Sequence, residues 1–137
     1  MNDETQQQLI AAALKARENA YAPYSHYAVG AALLTKEGKV FTGVNVENAV
    51  YPLGLCAERV AVFKAVSEGY RAFEAIVVAT ENGGSPCGAC RQVLAEFEPD
   101  LKVIAINAQG EQVLNTTLRA LLPVSFGPAD LAVKGKQ

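Results

Sequence analysis

Only three cysteines occur among the 137 residues, Cys56, Cys87 and Cys90, and a fold for this chain has to account for their spacing. Two stand in Ser85-Pro86-Cys87-Gly88-Ala89-Cys90-Arg91. A Pro-Cys-x-x-Cys run that opens a helix sets both sulfurs about one turn apart on the same face, so both can grip one metal ion. The third begins Cys56-Ala57-Glu58, where a carboxylate follows the thiol by two residues and would stand beside a metal without having to bind it. An odd count with no disulfide framework, in a reducing compartment, points to metal ligands or redox groups rather than bridges.

The stretches around these cysteines alternate between helix and strand. Leu9, Ile10, Ala13, Leu14 and Ala20 recur near helical spacing and predict a first amphipathic helix over residues 3–20, with Asp3 as N-cap. Tyr21-Ala22-Pro23-Tyr24-Ser25 breaks it, because Pro23 disfavours a helical Ala22. Strands are expected at 28–35 and 40–45, joined by the turn Lys36-Glu37-Gly38-Lys39, with room at Gly30-Ala31-Ala32 for close packing. A helix follows over 56–68, stopped by Gly69, with Ala57, Ala61 and Ala65 as a flat side to lie on a sheet. Residues 75–80 form a continuous apolar run, as in a central strand covered on both faces. A helix over 88–97, a buried strand at 102–107, a short strand near 111–114 and a helical turn near 117–122 complete the order.

That order predicts an α/β fold: a three-layer α/β/α sandwich on a mixed five-stranded sheet, in one domain spanning 1–137. It also predicts that the thiols meet. A helix of about 13 residues descends roughly 20 Å, and a strand of about six residues with its turns climbs back a similar distance. The second cysteine helix therefore starts beside the first, and all three thiols lie at helix N-termini, whose dipoles favour thiolate.

Composition narrows the partners. A formal net charge of -2 argues against a surface that holds nucleic acid by neutralising phosphates, and makes a small solute the expected ligand. No apolar run approaches the roughly 20 residues that span a bilayer, and Met1-Asn2-Asp3-Glu4 lacks the basic start of a signal peptide, so a cytoplasmic location is expected. The tail Lys134-Gly135-Lys136-Gln137 is expected to be disordered.

Three protein ligands leave a tetrahedral Zn²⁺ with one open position, the pattern of a catalytic site. A closed structural site would need His26 as fourth ligand, and a thiol redox pair at Cys87 and Cys90 would leave Cys56-Ala57-Glu58 unexplained. Three thiolates on a dication are net anionic, which weakens the acidification of bound water. Arg59 and Arg91, each just after a ligand segment, could offset that charge by donating to sulfur; the alternative for Arg91 is a solvated helix residue.

Cys56-Ala57-Glu58-Arg59 together with Pro86-Cys87-Gly88-Ala89-Cys90-Arg91-Gln92 resembles the zinc-dependent cytidine deaminases of nucleoside salvage. The upstream runs Tyr21 to Ser25, Val29 to Leu33 and Gly43 to Ala49 resemble the same family, and the likeness spans residues 13–131. It implies one Zn²⁺ per chain on Cys56, Cys87 and Cys90, with Glu58 as proton shuttle. It further implies ribose recognition by Asn45 and Glu47, for which the plainer alternative is capping of their own loop. An aromatic near the base falls on Tyr27, where phenylalanine is common, and a backbone contact to the base falls on Ala57. Tyr51 and Phe126 match aromatics that reach a neighbour's site in the homotetrameric branch. The activity implied is deamination of cytidine and 2'-deoxycytidine to uridine and 2'-deoxyuridine, with release of ammonia, in pyrimidine salvage. Within the class, an aminonucleoside-antibiotic deaminase of blasticidin type is the nearest rival.

Overall fold

A computed structural model describes residues 1–131. The elements in chain order are α1 (Asp3–Arg17), β1 (Gly30–Thr35), β2 (Val40–Val44), α2 (Ala57–Ser67), β3 (Phe73–Ala79), α3 (Gly88–Phe97), β4 (Lys102–Ile106), β5 (Gln112–Thr117) and α4 (Leu118–Leu121). Short 3₁₀ turns occupy Tyr51–Leu53 and Pro128–Leu131. The five strands form one sheet in the order β2-β1-β3-β4-β5. Only β3 and β4 run parallel, with Ile76 opposite Val103 and Ala79 opposite Ile106; the other neighbours are antiparallel.

Side chains alternate along each strand and so sort to the two faces of the sheet. Ala31, Leu33, Ile76, Val78 and Val103 join α2 and α3 through Ala57, Ala61, Ala65 and Leu94. Ala32, Leu34, Ala75, Val77, Ala79, Ile104 and Ile106 join α1 through Leu9, Ile10 and Ala13. The expected three layers follow from this sorting. Burying Leu9 alone is worth about 1.5–3 kcal/mol relative to exposing it, so the α1 face is held by a few such contacts.

The small residues of β1 and β2 are explained by helix approach. A Cβ on Gly30 would lie 2.3 Å from Ala13 O and 2.5 Å from Arg17 N, both backbone atoms of α1. On the opposite face, a Cβ on Gly43 would lie 2.3 Å from Ala57 O and 2.6 Å from Ala61 N in α2.

Several boundaries shift from the sequence expectation. The N-cap of α1 is Asn2, whose side chain accepts from Thr5 N at 2.8 Å, and the helix ends at Arg17 rather than Ala20. Its final residue turns its side chain away, Arg17 Nε donating to Ala28 O at 2.9 Å. That bond, with Val29 N donating to Asn45 Oδ1 at 2.9 Å, occupies the two residues before Gly30 and delays the start of β1. The last strand runs to Thr117, three residues beyond the expected end. The tail residues 134–137 lie outside the described residues.

Candidate metal centre

The C-terminal end of β3 is where α2 and α3 both begin. Cys56 is the N-cap of α2, Cys87 the N-cap of α3, and Cys90 sits in the first turn of α3. Cys56 Sγ lies 3.8 Å from Cys87 Sγ, Cys87 Sγ 3.4 Å from Cys90 Sγ, and all three sulfurs are within 4.8 Å of one another. Tetrahedral zinc with bonds of about 2.3 Å separates its sulfur ligands by about 3.8 Å, so the trio fits one zinc ion. Among the described residues this is the one group of at least three such side chains able to hold a metal, and His26 is not in it. The closed four-ligand alternative therefore loses its fourth ligand.

The electrostatics suit a cation. The Cys56 thiol is lowered to about 5, first by the hydrogen bond from Cys90, then by the Arg59 guanidinium, against the opposing effect of burial. Cys90 is pushed up, first by that same bond to Cys56 and then by burial and the charge of Glu58. One negative charge is readily held among the three sulfurs, and a dication is what lets all three ionise together. Arg59 Nη2 donates to Cys56 Sγ at 3.4 Å, as expected of a group that draws electron density from sulfur. Arg91 behaves otherwise. It donates to Pro86 O at 2.8 Å, Leu121 O at 3.0 Å and Ser85 Oγ at 3.0 Å, so it braces backbone instead of touching sulfur or standing free in solvent.

Beside the sulfurs opens a cleft of about 450 Å³, within the usual range for small-molecule sites. Glu58 lines it at 4% exposure, and burial raises its carboxyl above the ordinary carboxylate range, with the Cys56 charge adding to the effect. Ala57 is fully buried and is the first residue of α2, so its N–H belongs to the helix donors without an intrahelical partner.

The far end of the cleft carries Asn45, Glu47, Tyr27 and Tyr51. Asn45 Nδ2 donates to Tyr27 O at 2.8 Å while its Oδ1 accepts from Val29 N. Glu47 accepts from Tyr24 N and Ser25 N, both at 3.0 Å, and from Ser25 Oγ. Both side chains thus fasten segment 24–29 instead of capping their own loop, and each keeps hydrogen-bonding capacity toward the cleft. Tyr51 is 74% exposed, its ring 5.7 Å from that of Tyr24. Phe126 does not line this cleft; Gln92 Nε2 holds its carbonyl at 2.6 Å while 58% of the residue stays exposed.

Residues 3–106 match the cytidine and deoxycytidylate deaminase zinc-binding region. The chain belongs to this deaminase family. It is 48% identical over 134 residues to cytidine deaminase of Sporosarcina psychrophila, covering 96% of this chain and 98% of that one. The crystal structure of cytidine deaminase from Burkholderia pseudomallei superposes with a TM-score of 0.85 at 51% identity, covering 92% of this chain and all of the other. Blasticidin-S deaminase of Bacillus cereus is more distant, 33% identical over 72% of this chain and 76% of its own. Deaminase membership gives the C-x-x-C run its place in a metal site and removes the thiol oxidoreductase reading.

Three contributors were not evident from the sequence. Ser25 bridges Glu47 and Tyr27 N, and Thr80 Oγ1 accepts from Gly83 N at 2.7 Å and Gly84 N at 2.9 Å. Asn82 accepts from the Tyr27 hydroxyl. The sequence signal for the middle one is a threonine that follows an apolar strand and precedes Glu-Asn-Gly-Gly, a pattern suited to a side-chain-capped turn.

Proposed function

We propose that this chain catalyses zinc-dependent hydrolytic deamination of cytidine and 2'-deoxycytidine, releasing ammonia and the corresponding uridine. The observation that carries the reading is a buried carboxyl, Glu58, that lines a nucleoside-sized cleft with Cys56 and Cys87, the third thiol, Cys90, converging on them from beneath. Zinc held by Cys56, Cys87 and Cys90, when bound, keeps one position for water and lowers its pKa. Glu58 takes a proton from the attacking water as the C4–O bond forms and hands it to N3, then takes a second from the new C4 hydroxyl and passes it to the departing amine as C4–N4 breaks. Its raised proton affinity suits a group that must both accept and return a proton. Arg59 offsets the thiolate charge, and the Ala57 N–H, which has no intrahelical partner at the start of α2, donates to the base.

Asn45 and Glu47 read the ribose, and Tyr27 packs against the base. A substrate lacking the recognised hydroxyl would leave those polar groups without a partner. We assign Tyr51 and Phe126 to a site shared between chains of a homotetramer. Support comes from their exposure, and for Phe126 from a carbonyl pinned by Gln92 while the residue stays out of its own cleft. Tyr51 also lines its own cleft, so it stands at the seam. Residues 1–137 act as one catalytic domain in cytoplasmic pyrimidine salvage, where a reducing milieu keeps the three thiols available for zinc. No helix among the described residues is long and apolar enough to cross a membrane.

Purified protein should carry about one zinc per chain and should abolish the ultraviolet absorbance specific to cytidine. Protein with full zinc and no turnover of cytidine, but turnover of blasticidin S, would move the assignment to the antibiotic deaminases.

A further inference from the structure

The hydroxyl of Tyr27 has no part in the chemistry just described, yet it is tightly engaged. It donates to Asn82 Oδ1 at 2.6 Å, across 55 positions of sequence. Asn82 belongs to the loop between β3 and α3, which ends at the ligand Cys87. The loop comes close to the phenol, since a Cβ on Gly84 would lie 2.9 Å from Tyr27 Oη. Thr80 braces the loop from the strand side through Gly83 N and Gly84 N, and Arg91 braces its far end through Ser85 Oγ and Pro86 O. The brace from Tyr27 differs from these because it leads out of the loop to the other end of the cleft.

There Tyr27 is held by the groups assigned to the sugar. Its N–H donates to Ser25 Oγ at 3.1 Å, and that hydroxyl is bonded to Glu47. Its carbonyl accepts from Asn45 Nδ2. A continuous hydrogen-bonded path therefore runs from Glu47 and Asn45, through Tyr27, to Asn82 and the loop that delivers Cys87. A phenylalanine at position 27 would keep the ring and cut the path.

We propose that the Tyr27 hydroxyl and Asn82 form a positioning strut that ties the sugar end of the cleft to the metal-bearing loop and holds Cys87 in place. Tyr27 thus has two separable parts, a ring that packs and a hydroxyl that positions. The strut rests on the deaminase reading only for its kinetic consequence, because holding Cys87 is a statement about metal retention.

The test uses zinc-loaded protein with Tyr27→Phe, Asn82→Ala, Asn82→Asp and the Tyr27→Phe/Asn82→Ala double substitution. Zinc release is followed with the chromogenic chelator 4-(2-pyridylazo)resorcinol, and cytidine kinetics are measured in parallel. Each of the first two variants should release zinc about threefold to tenfold faster, the range of one neutral hydrogen bond. The double variant should be no faster than Asn82→Ala alone, since that substitution already removes the Tyr27 bond, along with the 3.5 Å contact from Thr80 Oγ1 to Asn82 Oδ1. Asn82→Asp, at an exposed position and still able to accept from the phenol, should stay within about twofold of the parent. In kinetics, kcat should fall with KM nearly unchanged. Unchanged zinc release in Tyr27→Phe, multiplied effects in the double variant, or a rise in KM alone would overturn the strut, the last because the hydroxyl would then be touching substrate. A parent protein inactive on cytidine would defeat the functional reading and still leave the zinc-release arm to decide the strut.

Discussion

The two faces of the sheet are built by the same device and do different things. On one, α1 lies against Gly30; on the other, α2 lies against Gly43, each helix backbone filling the space a Cβ would take. Both faces are lined by aliphatic side chains sorted by strand alternation. They differ in direction. The start of α1 lies by Leu34, Gly38 and Glu74, at the hairpin end of the sheet, whereas α2 and α3 start at the opposite end, where β3 finishes. Two helix N-termini converge there on one face, whereas α1 begins by itself on the other face, at the hairpin end. Convergence is what turns unpaired N–H groups and helix dipoles into a place for thiolates.

The largest effect should come from removing chemistry from the active face without disturbing its architecture. Glu58→Gln keeps the three sulfurs and nearly the same shape but cannot carry a proton. Turnover of cytidine should fall by about 10²–10⁴-fold, with zinc content and melting temperature close to the parent. A variant within about tenfold of the parent would remove Glu58 from the reaction and leave the active face without a proton carrier.

The paired glycines give a direct way to break the symmetry. Gly30→Ala and Gly43→Ala each drive a methyl into helix backbone, so each should cost about 3 kcal/mol of stability by urea unfolding. Their functional consequences should part. Gly43→Ala presses on Ala57, between Cys56 and Glu58, and should lower turnover per folded, zinc-loaded molecule by about tenfold, a barrier change of about 1.4 kcal/mol. Gly30→Ala presses on the last two turns of α1, and turnover per folded molecule should stay near the parent. Equal losses in both variants would show that the site is sensitive to any strain in the sheet.

Much of this asymmetry was legible in the sequence, because it rests on local rules. The sequence places a helix from Gly88 to about Phe97, where α3 lies, and the meeting of Cys56 with Cys87 and Cys90 follows from a helix descending and a strand returning. The room at Gly30 was visible, although which helix would fill it was not. What could not be read depends on backbone acceptors far away in sequence. Arg91 reaches Leu121 O, and Asn45 and Glu47 reach segment 24–29, and no spacing rule marks a carbonyl or an amide as a partner. Asn115, Thr116 and Thr117 lack the apolar alternation that announces an edge strand, so the sequence pattern ends near Leu114 while β5 runs on to Thr117.

A smaller effect should separate holding the metal from building the face. Arg59 meets Cys56 Sγ, and its Nε is buried without a hydrogen-bond partner, so its placement serves the sulfur more than the fold. Arg59→Ala should weaken zinc binding by about 10–100-fold, read by competition with a chelator, as for other groups that bond to a metal's ligands. If zinc affinity were unchanged, the thiolate charge would have to be offset elsewhere.

The smallest effect lies at the helix starts and compares the two faces most closely. Asn2 caps α1 through Thr5 N, whereas Cys56 and Cys87 occupy the N-cap positions of α2 and α3 and make no side-chain cap. The lone start is capped for stability, and the converging starts leave that role unfilled in favour of thiolates. Asn2→Ala should therefore cost about 1 kcal/mol in unfolding free energy, with zinc affinity and turnover unchanged. Cys56→Ser should do the reverse. Serine is a good N-cap, so against zinc-stripped parent protein the variant should be equal in stability or firmer by up to about 1 kcal/mol, while zinc binding and deamination are lost. A Cys56→Ser protein clearly less stable than the stripped parent would mean that Cys56 also supports the fold, and that the start of α2 is not a cap position given over to the metal.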